Sequence, residues 1–241
     1  WRKFGIVPLL SWPVNAKKLY VDLHDNVELT DVFHDNVDKI DKILVRSKYH
    51  EQMTCKINKQ NNALLKKTLV IKNGVRLDTF QLSTHTYERD PYRFCWCSCY
   101  TRGLAQLLQH VWPIIKQNEP RAEFHIYYGM DGVLDMKFKN AMRSLLQQPG
   151  VCDHGRQSVD MVVREKYRST FHLYFSCTTA ETDCISIRES ACVGCIPVLS
   201  KYNVFGERKG LHLPGNPNEK EDLETVGQIL VALLKEPSKC Q

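Results

Sequence analysis

The sequence predicts an α/β protein built on parallel sheets, and three observations support this. Short apolar runs alternate with segments of helical periodicity along the chain, an order typical of a doubly wound sheet. The 241 residues are 43% hydrophobic and 25% charged, which excludes disordered, collagen-like and simple coiled-coil chains. Polar residues directly follow several predicted strands, at the edge where such sheets bind their ligands.

The first part of the chain predicts a small α/β domain over residues 1–80. Its predicted elements are strands over residues 18–23, 42–46 and 68–72 and a helix over residues 47–65. Asn73 and Gly74 close the third strand, because both residue types favour turns. Strands joined through a helix indicate parallel pairing.

A second α/β domain is predicted over residues 93–241, after a linker over residues 81–92 that lacks apolar periodicity. Its predicted strands cover residues 93–99, 123–128, 171–175 and 196–199, and its predicted helices cover residues 104–115, 186–193 and 223–234. We expect Pro113 to kink the first of these helices, Gly194 to end the second and Pro237 to stop the last.

Charge and cysteine content narrow the function classes. The net charge of +6, from 33 basic and 27 acidic residues, is small for a nucleic-acid-binding protein but suits anionic small ligands. We therefore expect no nucleic-acid partner.

No apolar run reaches the length of a membrane span and no signal-peptide pattern is present, so a cytoplasmic protein is expected. Ten cysteines with one C-x-x-C, at Cys192 and Cys195, indicate reduced thiols, with zinc binding as the alternative.

Cationic and polar residues between predicted elements are candidates for nucleotide binding. Arg102 and Gly103 lie between a strand and a helix, where helix N–H groups, the helix dipole and a guanidinium can converge on a phosphate. Arg156 and Asp160 lie in and after a polar turn and are candidates for contacts to a nucleobase.

Two carboxylates and a histidine are candidates for sugar binding. Glu181 follows the strand at residues 171–175, and Glu189 lies on the next helix. Each carboxylate oxygen can accept hydrogen bonds from adjacent hydroxyls. His24 directly follows a strand, where an imidazole can form hydrogen bonds or transfer a proton.

Motifs of several other enzyme classes are absent from the sequence. It has no P-loop, no Gly-x-Gly-x-x-Gly after a strand, no Gly-x-Ser-x-Gly, no His-Glu-x-x-His and no Asp-x-Asp. A bound diphosphate would be neutralised by cationic side chains and helix dipoles. We therefore expect neither a metal nor a cofactor.

A series of short motifs resembles a known family. In chain order they are Asn73-Gly74-Val75, Arg102-Gly103-Leu104, Tyr128-Gly129, Glu181-x7-Glu189 and Gly194-Cys195-Ile196-Pro197-Val198. The series resembles the retaining GT-B glycosyltransferases of family 4, and the similarity runs from Lys18 to Pro237. Residues 100–104 and 184–190 resemble versions encoded by large algal viruses such as chloroviruses, which would place the protein in the host cytoplasm.

The resemblance implies the GT-B fold, with two Rossmann-like nucleotide-binding domains and the donor cleft between them. The N-terminal domain is expected to be incomplete, because no glycine-rich phosphate loop precedes His24 and the chain starts at Trp1. A second arginine that the family usually uses for the diphosphate would fall near Cys97, so one phosphate contact is missing or comes from elsewhere.

The resemblance also implies a role for each candidate residue. Glu181 would bind donor-sugar hydroxyls near the reacting carbon, and His24 would reach the same sugar. Glu189 would bind the ribose hydroxyls. Arg102 takes the place of a lysine that grips the diphosphate, and Gly103 follows it as in the family.

The implied function is transfer of a hexose, with retention, from a nucleotide diphosphate sugar to a glycan or glycoprotein acceptor. GDP-mannose is the first expectation for the donor, because Arg156 and Asp160 complement a guanine edge. A UDP-sugar is the alternative. A catalytically silent nucleotide-sugar-binding or scaffold protein and a basic nucleic-acid binder are competing hypotheses, and a homodimer is a further expectation.

Overall fold

The computed structural model describes residues 15–29, 35–58, 62–76, 80 and 87–236. The chain divides into two compact units. The first unit comprises Trp1–Gly74 and Thr179–Cys184, and the second comprises Val75–Thr178 and Ile185–Gln241. The segment Thr179–Cys184 therefore groups with the first unit, although the sequence places it within the predicted second domain.

The first unit contains a three-stranded parallel sheet in the order β1-β2-β3. Its elements are β1 (Tyr20–Asp22), a 3-10 turn (Val37–Lys39), β2 (Lys42–Val45), α1 (Lys48–Ile57), α2 (Asn62–Leu65) and β3 (Thr68–Val70). Ile43 and Val45 of β2 are fully buried and pack in a cluster with Leu64 of α2. Ser47 begins α1, because its hydroxyl accepts a hydrogen bond from the His50 backbone N–H at 2.9 Å.

The helix predicted over residues 47–65 is two helices, which corrects the sequence-based prediction. The helix α1 ends at Asn58, whose side-chain amide donates to the carbonyl of Thr54 at 2.7 Å. The Asn58 side-chain oxygen also accepts from the Leu29 backbone N–H at 2.6 Å. The side chain thus competes with helical hydrogen bonding and favours a helix end at this position.

The second unit contains a six-stranded parallel sheet in the order β6-β5-β4-β7-β8-β9. Its strands are β4 (Asp90–Cys97), β5 (Glu123–Tyr127), β6 (Val151–Asp153), β7 (Ser169–Tyr174), β8 (Ile196–Leu199) and β9 (Leu211–His212). Its helices are α3 (Leu104–Gln106, a π-helical turn at Leu107–Val111, then Trp112–Asn118), α4 (Met136–Leu146), α5 (Val159–Arg168), α6 (Ile185–Cys192) and α7 (Lys220–Leu234), with 3-10 turns at Tyr100–Arg102 and Asn203–Glu207.

Element boundaries in the second unit differ from the predicted ones in a few places. Residues 90–92 of the predicted linker belong to β4, where the Thr170 hydroxyl donates to the Asp90 carbonyl at 2.7 Å. Residues 81–86 of that linker and Pro237 lie outside the described residues. The π-helical turn precedes Pro113, consistent with the local irregularity expected there. Gly194 follows α6 with φ +76°, as expected for a helix end.

One face of the six-stranded sheet is aromatic and apolar. Phe94 on β4 packs against Trp112 of α3 at a ring-centroid distance of 5.9 Å and stacks on Phe171 of β7 at 5.2 Å. The helix α7 lies close to α3 at Gly227. A Cβ atom at this position would be 3.1 Å from Cβ of Ile114. A side chain at position 227 would require Ile114 to move by a few tenths of an ångström.

A buried ion pair lies on the other side of the same strands, between Arg93 of β4 and Glu165 of α5. Arg93 donates from Nε to Oε1 at 2.6 Å and from Nη2 to Oε2 at 3.0 Å. The hydroxyls of Tyr127 and Ser169 also donate to Glu165, each at 2.9 Å. The carboxylate is thus held by four hydrogen bonds in a buried position.

The same network includes His125, and the contact with Arg93 indicates which ring nitrogen carries the proton of the neutral ring. Its Nδ1 lies 3.0 Å from Nη2 of Arg93 and 2.8 Å from Nε2 of His154. A guanidinium only donates, so Nδ1 accepts, and the ring proton lies on Nε2. That nitrogen donates to Glu123 at 3.0 Å.

Two expectations from composition can be compared with the structure. No helix in the described ranges combines the length and apolarity needed to cross a bilayer. The nine cysteines in the described part of the chain form no disulfide with one another. Cys95, Cys184 and Cys195 are buried, whereas Cys192 is exposed.

Candidate functional site

The first unit brings His24 and the segment that carries Glu181 together. The Thr182 hydroxyl donates to the His24 carbonyl at 2.7 Å, and the Ser47 hydroxyl donates to the Thr182 carbonyl at 2.6 Å. The next residue, Asp183, accepts from the Asn73 backbone N–H at 2.8 Å. These hydrogen bonds anchor Thr179–Cys184 on the loops that follow β1, β2 and β3. The two residues expected to contact the donor sugar therefore belong to one unit.

Arg46 is a further polar residue of this group, and the sequence alone did not predict it. Arg46 directly follows β2, and His24 closely follows β1. The position of a charged residue directly after a strand is therefore the sequence feature that could have identified Arg46. Its guanidinium donates to Nε2 of His24 at 2.9 Å and to the Asp22 carboxylate. Burial lowers the pKa of Arg46, and the charge of Asp183 partly offsets this effect.

Arg102 and Gly103 lie where the sequence predicts, between β4 and α3. Arg102 ends the 3-10 turn, and Gly103 precedes α3 with φ +111°. The Ser176 hydroxyl donates to the Arg102 carbonyl at 2.7 Å, and a Cβ at Gly103 would lie 3.1 Å from that hydroxyl oxygen. Arg102 Nη1 donates to the Ser98 hydroxyl at 3.4 Å, a long hydrogen bond.

Glu189 on α6 is paired with Lys166 of α5, a partner that the sequence alone did not predict. Nζ of Lys166 is fully buried and donates to the Glu189 carboxylate at 2.6 Å and to the Ser186 carbonyl and hydroxyl at 3.0 and 3.1 Å. Burial opposes the charge of Lys166, but the Cys97 thiol and the Glu189 carboxylate raise its pKa overall. Oε1 of Glu189 makes no hydrogen bond within the described residues, so it can accept from a ligand hydroxyl.

We expect Glu189→Gln to destabilise the protein more than Lys166→Met. The Lys166 side chain is 0% exposed and the Glu189 side chain is 25% exposed, so water can solvate an unpaired Glu189 but not an unpaired Lys166. Glu189→Gln should lower the free energy of unfolding by about 2 kcal/mol, and Lys166→Met by less than about 1 kcal/mol. Urea unfolding measures both, with Lys137→Met on the surface as the matched control. Equal costs would contradict this asymmetry.

Arg156 is exposed beside Tyr128, whereas Asp160 lies in the first turn of α5. The Arg156 guanidinium carbon is 5.7 Å from the Tyr128 ring centroid. Tyr128 has φ +116°, a conformation that side-chain-bearing residues rarely adopt, and its N–H donates to the Gly155 carbonyl at 2.8 Å. Such strained residues occur often at ligand sites, which makes Tyr128 a further candidate for base stacking.

No three His, Cys, Asp or Glu side chains in the described ranges come together as metal ligands. The sequence left zinc binding by Cys192 and Cys195 as an alternative. In the structure Cys192 is exposed, whereas Cys195 is buried. The expectation of metal independence remains a prediction to be tested with a chelator.

Comparison with known proteins identifies similar structures but no sequence relatives. No protein-family model and no curated protein matches the chain significantly. Pneumococcal O-GlcNAc transferase GtfA, solved with UDP and GlcNAc, has a TM-score of 0.63 at 13% identity over 92% of this chain and 46% of its own. Anabaena Alr3699/HepE, solved with UDP-glucose, has a TM-score of 0.66 at 12% identity over 92% of this chain and 64% of its own.

A glycosyltransferase from Rickettsia africae has a TM-score of 0.66 at 15% identity over 92% of this chain and 64% of its own. The chain thus spans about half to two thirds of the length of these structures. The likenesses confirm the predicted fold class, an α/β fold with parallel sheets of the GT-B type. Family 4 membership and viral origin remain predictions.

Proposed function

We propose that the chain is part of a glycosyltransferase that uses a nucleotide diphosphate sugar. The observation that carries this proposal is the anchoring of the Glu181 segment on the His24 carbonyl through Thr182, at 2.7 Å. It places the two residues expected to contact the sugar in one unit of a glycosyltransferase-like fold. Retention of configuration, independence of metals and a glycan or glycoprotein acceptor are part of the proposal.

The chemistry of each group fits a step of sugar transfer. Cleavage of the bond between sugar and phosphate builds negative charge on the leaving diphosphate, which Arg102 stabilises. Positive charge develops on the sugar, where the carboxylate of Glu181 is favourable. His24 donates a hydrogen bond to the sugar, and Glu189, fixed by Lys166, accepts from the ribose hydroxyls.

We propose a UDP-sugar as the donor in preference to GDP-mannose. Support comes from GtfA and HepE, which were solved with UDP or UDP-glucose. Arg156 and Tyr128 offer flat surfaces for stacking on a base of either kind, so they do not favour guanine. GDP-mannose, the first expectation from the sequence, is kept as the competing donor in the experiment.

Calorimetric titration in EDTA tests the donor class and metal independence. We expect saturable binding of UDP-glucose and UDP, weaker binding of GDP-mannose and GDP, and Arg102→Ala to weaken UDP binding by about 10- to 100-fold, because charge-assisted hydrogen bonds are lost. The matched control is Arg143→Ala, an exposed arginine on α4, which should leave the affinity unchanged.

Two results would contradict this proposal. Absence of binding by all four nucleotides would contradict the donor class, and equal effects of Arg102→Ala and Arg143→Ala would remove Arg102 from the phosphate site. Binding of UDP-glucose without its hydrolysis or transfer would favour the catalytically silent nucleotide-sugar-binding protein instead.

A further inference from the structure

Arg46 links the carboxyl ends of all three strands in the first unit. Its Nε donates to the Leu23 carbonyl and its Nη1 to the Ile71 carbonyl, both at 3.2 Å. Its Nη2 donates to the Asp22 carboxylate and to Nε2 of His24, the latter at 2.9 Å. The Arg46 side chain is only 7% exposed. The guanidinium is therefore held in place by the sheet itself and not by the histidine.

The contact with Arg46 determines which ring nitrogen of His24 carries the proton. A guanidinium has five donors and no acceptor, so Nε2 of His24 accepts and is unprotonated. Asp22 Oδ2 lies 3.1 Å from the same Nε2 and would bond only to a protonated Nε2. The two contacts exclude each other. The contact with Arg46 is the more favourable of the two. Without it, an N–H of Arg46 would be buried and unpaired, whereas the half-exposed Asp22 carboxylate can bind water instead.

The other charged and titratable groups nearby are compatible with this arrangement. His50 accepts at Nδ1 from the Arg46 backbone N–H and donates from Nε2 to the Asp25 carbonyl, both at 3.1 Å. Burial lowers the pKa of His50, so it stays neutral beside Arg46. Asp183 adds negative charge near Arg46 from the Glu181 segment. His50 thus has its proton on Nε2, opposite to the arrangement inferred for His24.

We infer that Arg46 is a positioning residue that holds His24 with its ring proton on Nδ1. This nitrogen makes no hydrogen bond within the described residues, and the His24 side chain is 37% exposed. His24 then presents a hydrogen-bond donor, not a proton acceptor, to a ligand oxygen. The assignment of this oxygen to a donor sugar rests on the proposed function. The position of the proton on Nδ1 does not depend on the proposed function.

Long-range ¹H–¹⁵N correlation spectra of the purified chain test the proton position directly. At a pH about two units above the ordinary imidazole pKa of about 6.5, we expect His24 to show a protonated Nδ1 and His50 a protonated Nε2. His24→Gln and His50→Gln assign the signals. A His24 ring with its proton on Nε2 would overturn the inference, whatever the activity of the protein.

Two substitutions separate Arg46 from Asp22. In Arg46→Met, the proton of His24 should move to Nε2 and bond to Asp22, while His50 keeps its pattern and reports an intact fold. In Asp22→Asn, the proton should stay on Nδ1. An unchanged His24 in a folded Arg46→Met protein would overturn the inference. If Arg46→Met does not fold, the unsubstituted protein and Asp22→Asn still decide the question.

Activity provides the second readout. Arg46→Met should lower kcat for sugar transfer by roughly 10- to 100-fold, the effect known for groups that orient metal-bound histidines in other enzymes, with UDP affinity unchanged. Arg46→Lys keeps a charged donor and should recover part of the loss. An unchanged kcat would overturn the positioning role. A protein without transfer activity but with Nδ1 protonated would contradict the proposed function alone.

Discussion

Replacing Glu165 by glutamine is expected to lower the free energy of unfolding by about 3 to 5 kcal/mol, the usual cost of breaking a buried ion pair. Arg93 is the reason, because its side chain is 9% exposed and bonds to Glu165 through two nitrogens. Without the carboxylate, the guanidinium keeps, among the residues that the structure describes, the exposed Glu123 as its remaining ion-pair partner. The buried positive charge would then be poorly compensated.

The same ion pair predicts how stability depends on pH. Burial alone would raise the pKa of Glu165, but the hydrogen bonds from Arg93 and Tyr127 and nearby positive charge lower it from 4.5 to about 2. A lowered carboxyl pKa stabilises the fold fully above about pH 4.5, and the contribution of about 3 kcal/mol is lost as the pH falls toward 2. The difference between the unsubstituted protein and Glu165→Gln should therefore shrink in acid.

Urea unfolding at pH 7 and pH 3 measures both effects, followed by the fluorescence to which the buried Trp96 and Trp112 of the second unit contribute. Glu123→Gln is the matched control, since Glu123 contacts Arg93 and His125 from a side chain that is 46% exposed. It should cost less than about 1 kcal/mol, as exposed ion pairs do. A cost for Glu165→Gln equal to that control, or one independent of pH, would contradict the prediction.

Glu181→Gln is expected to lower kcat for sugar transfer by about 10²- to 10³-fold, the usual effect of removing one group that stabilises transition-state charge. The substitution keeps the size of the side chain and removes its charge. Glu181 is buried in the segment that Thr182 and Asp183 anchor, so the segment should keep its position. UDP affinity should change by less than about twofold, because the residue is assigned to the sugar and not to the nucleotide.

Transfer assays and UDP titration of the same preparations test this assignment. Glu28→Gln is the control, since Glu28 is an exposed residue of the same unit and should retain full activity. A parallel loss of UDP affinity and kcat in Glu181→Gln would show a binding or structural role instead. Full activity of that variant would remove Glu181 from the proposed mechanism.

Most of the fold could be predicted because apolar runs in parallel sheets are distinctive. The strand at residues 196–199 was predicted with its observed bounds, and β2 differs by one residue. The strands Val151–Asp153 and Leu211–His212 were missed, since three and two residues show no periodicity. The break at Asn58 was missed because it depends on Leu29, which is 29 residues away in sequence.

The placement of a candidate residue was predictable where that residue follows a predicted strand. His24 and Arg102 were found in this way, and both lie at such positions. Arg46 and Lys166 were not found, because their importance comes from buried partners that only the folded chain brings together. The grouping of Glu181 with the first unit likewise depends on side-chain and backbone hydrogen bonds distant in sequence.

The polar face of the second sheet also constrains how its strands can align. On β5, Glu123, His125 and Tyr127 point toward the Arg93–Glu165 pair, whereas Phe124 and Ile126 are fully buried in the apolar layer. Because neighbouring residues of a strand face opposite sides, a slip of one residue would place an imidazole and a carboxylate among aromatic rings. Misaligned pairings of β5 would therefore be penalised by unpaired charge, and the network selects one register as well as contributing to stability.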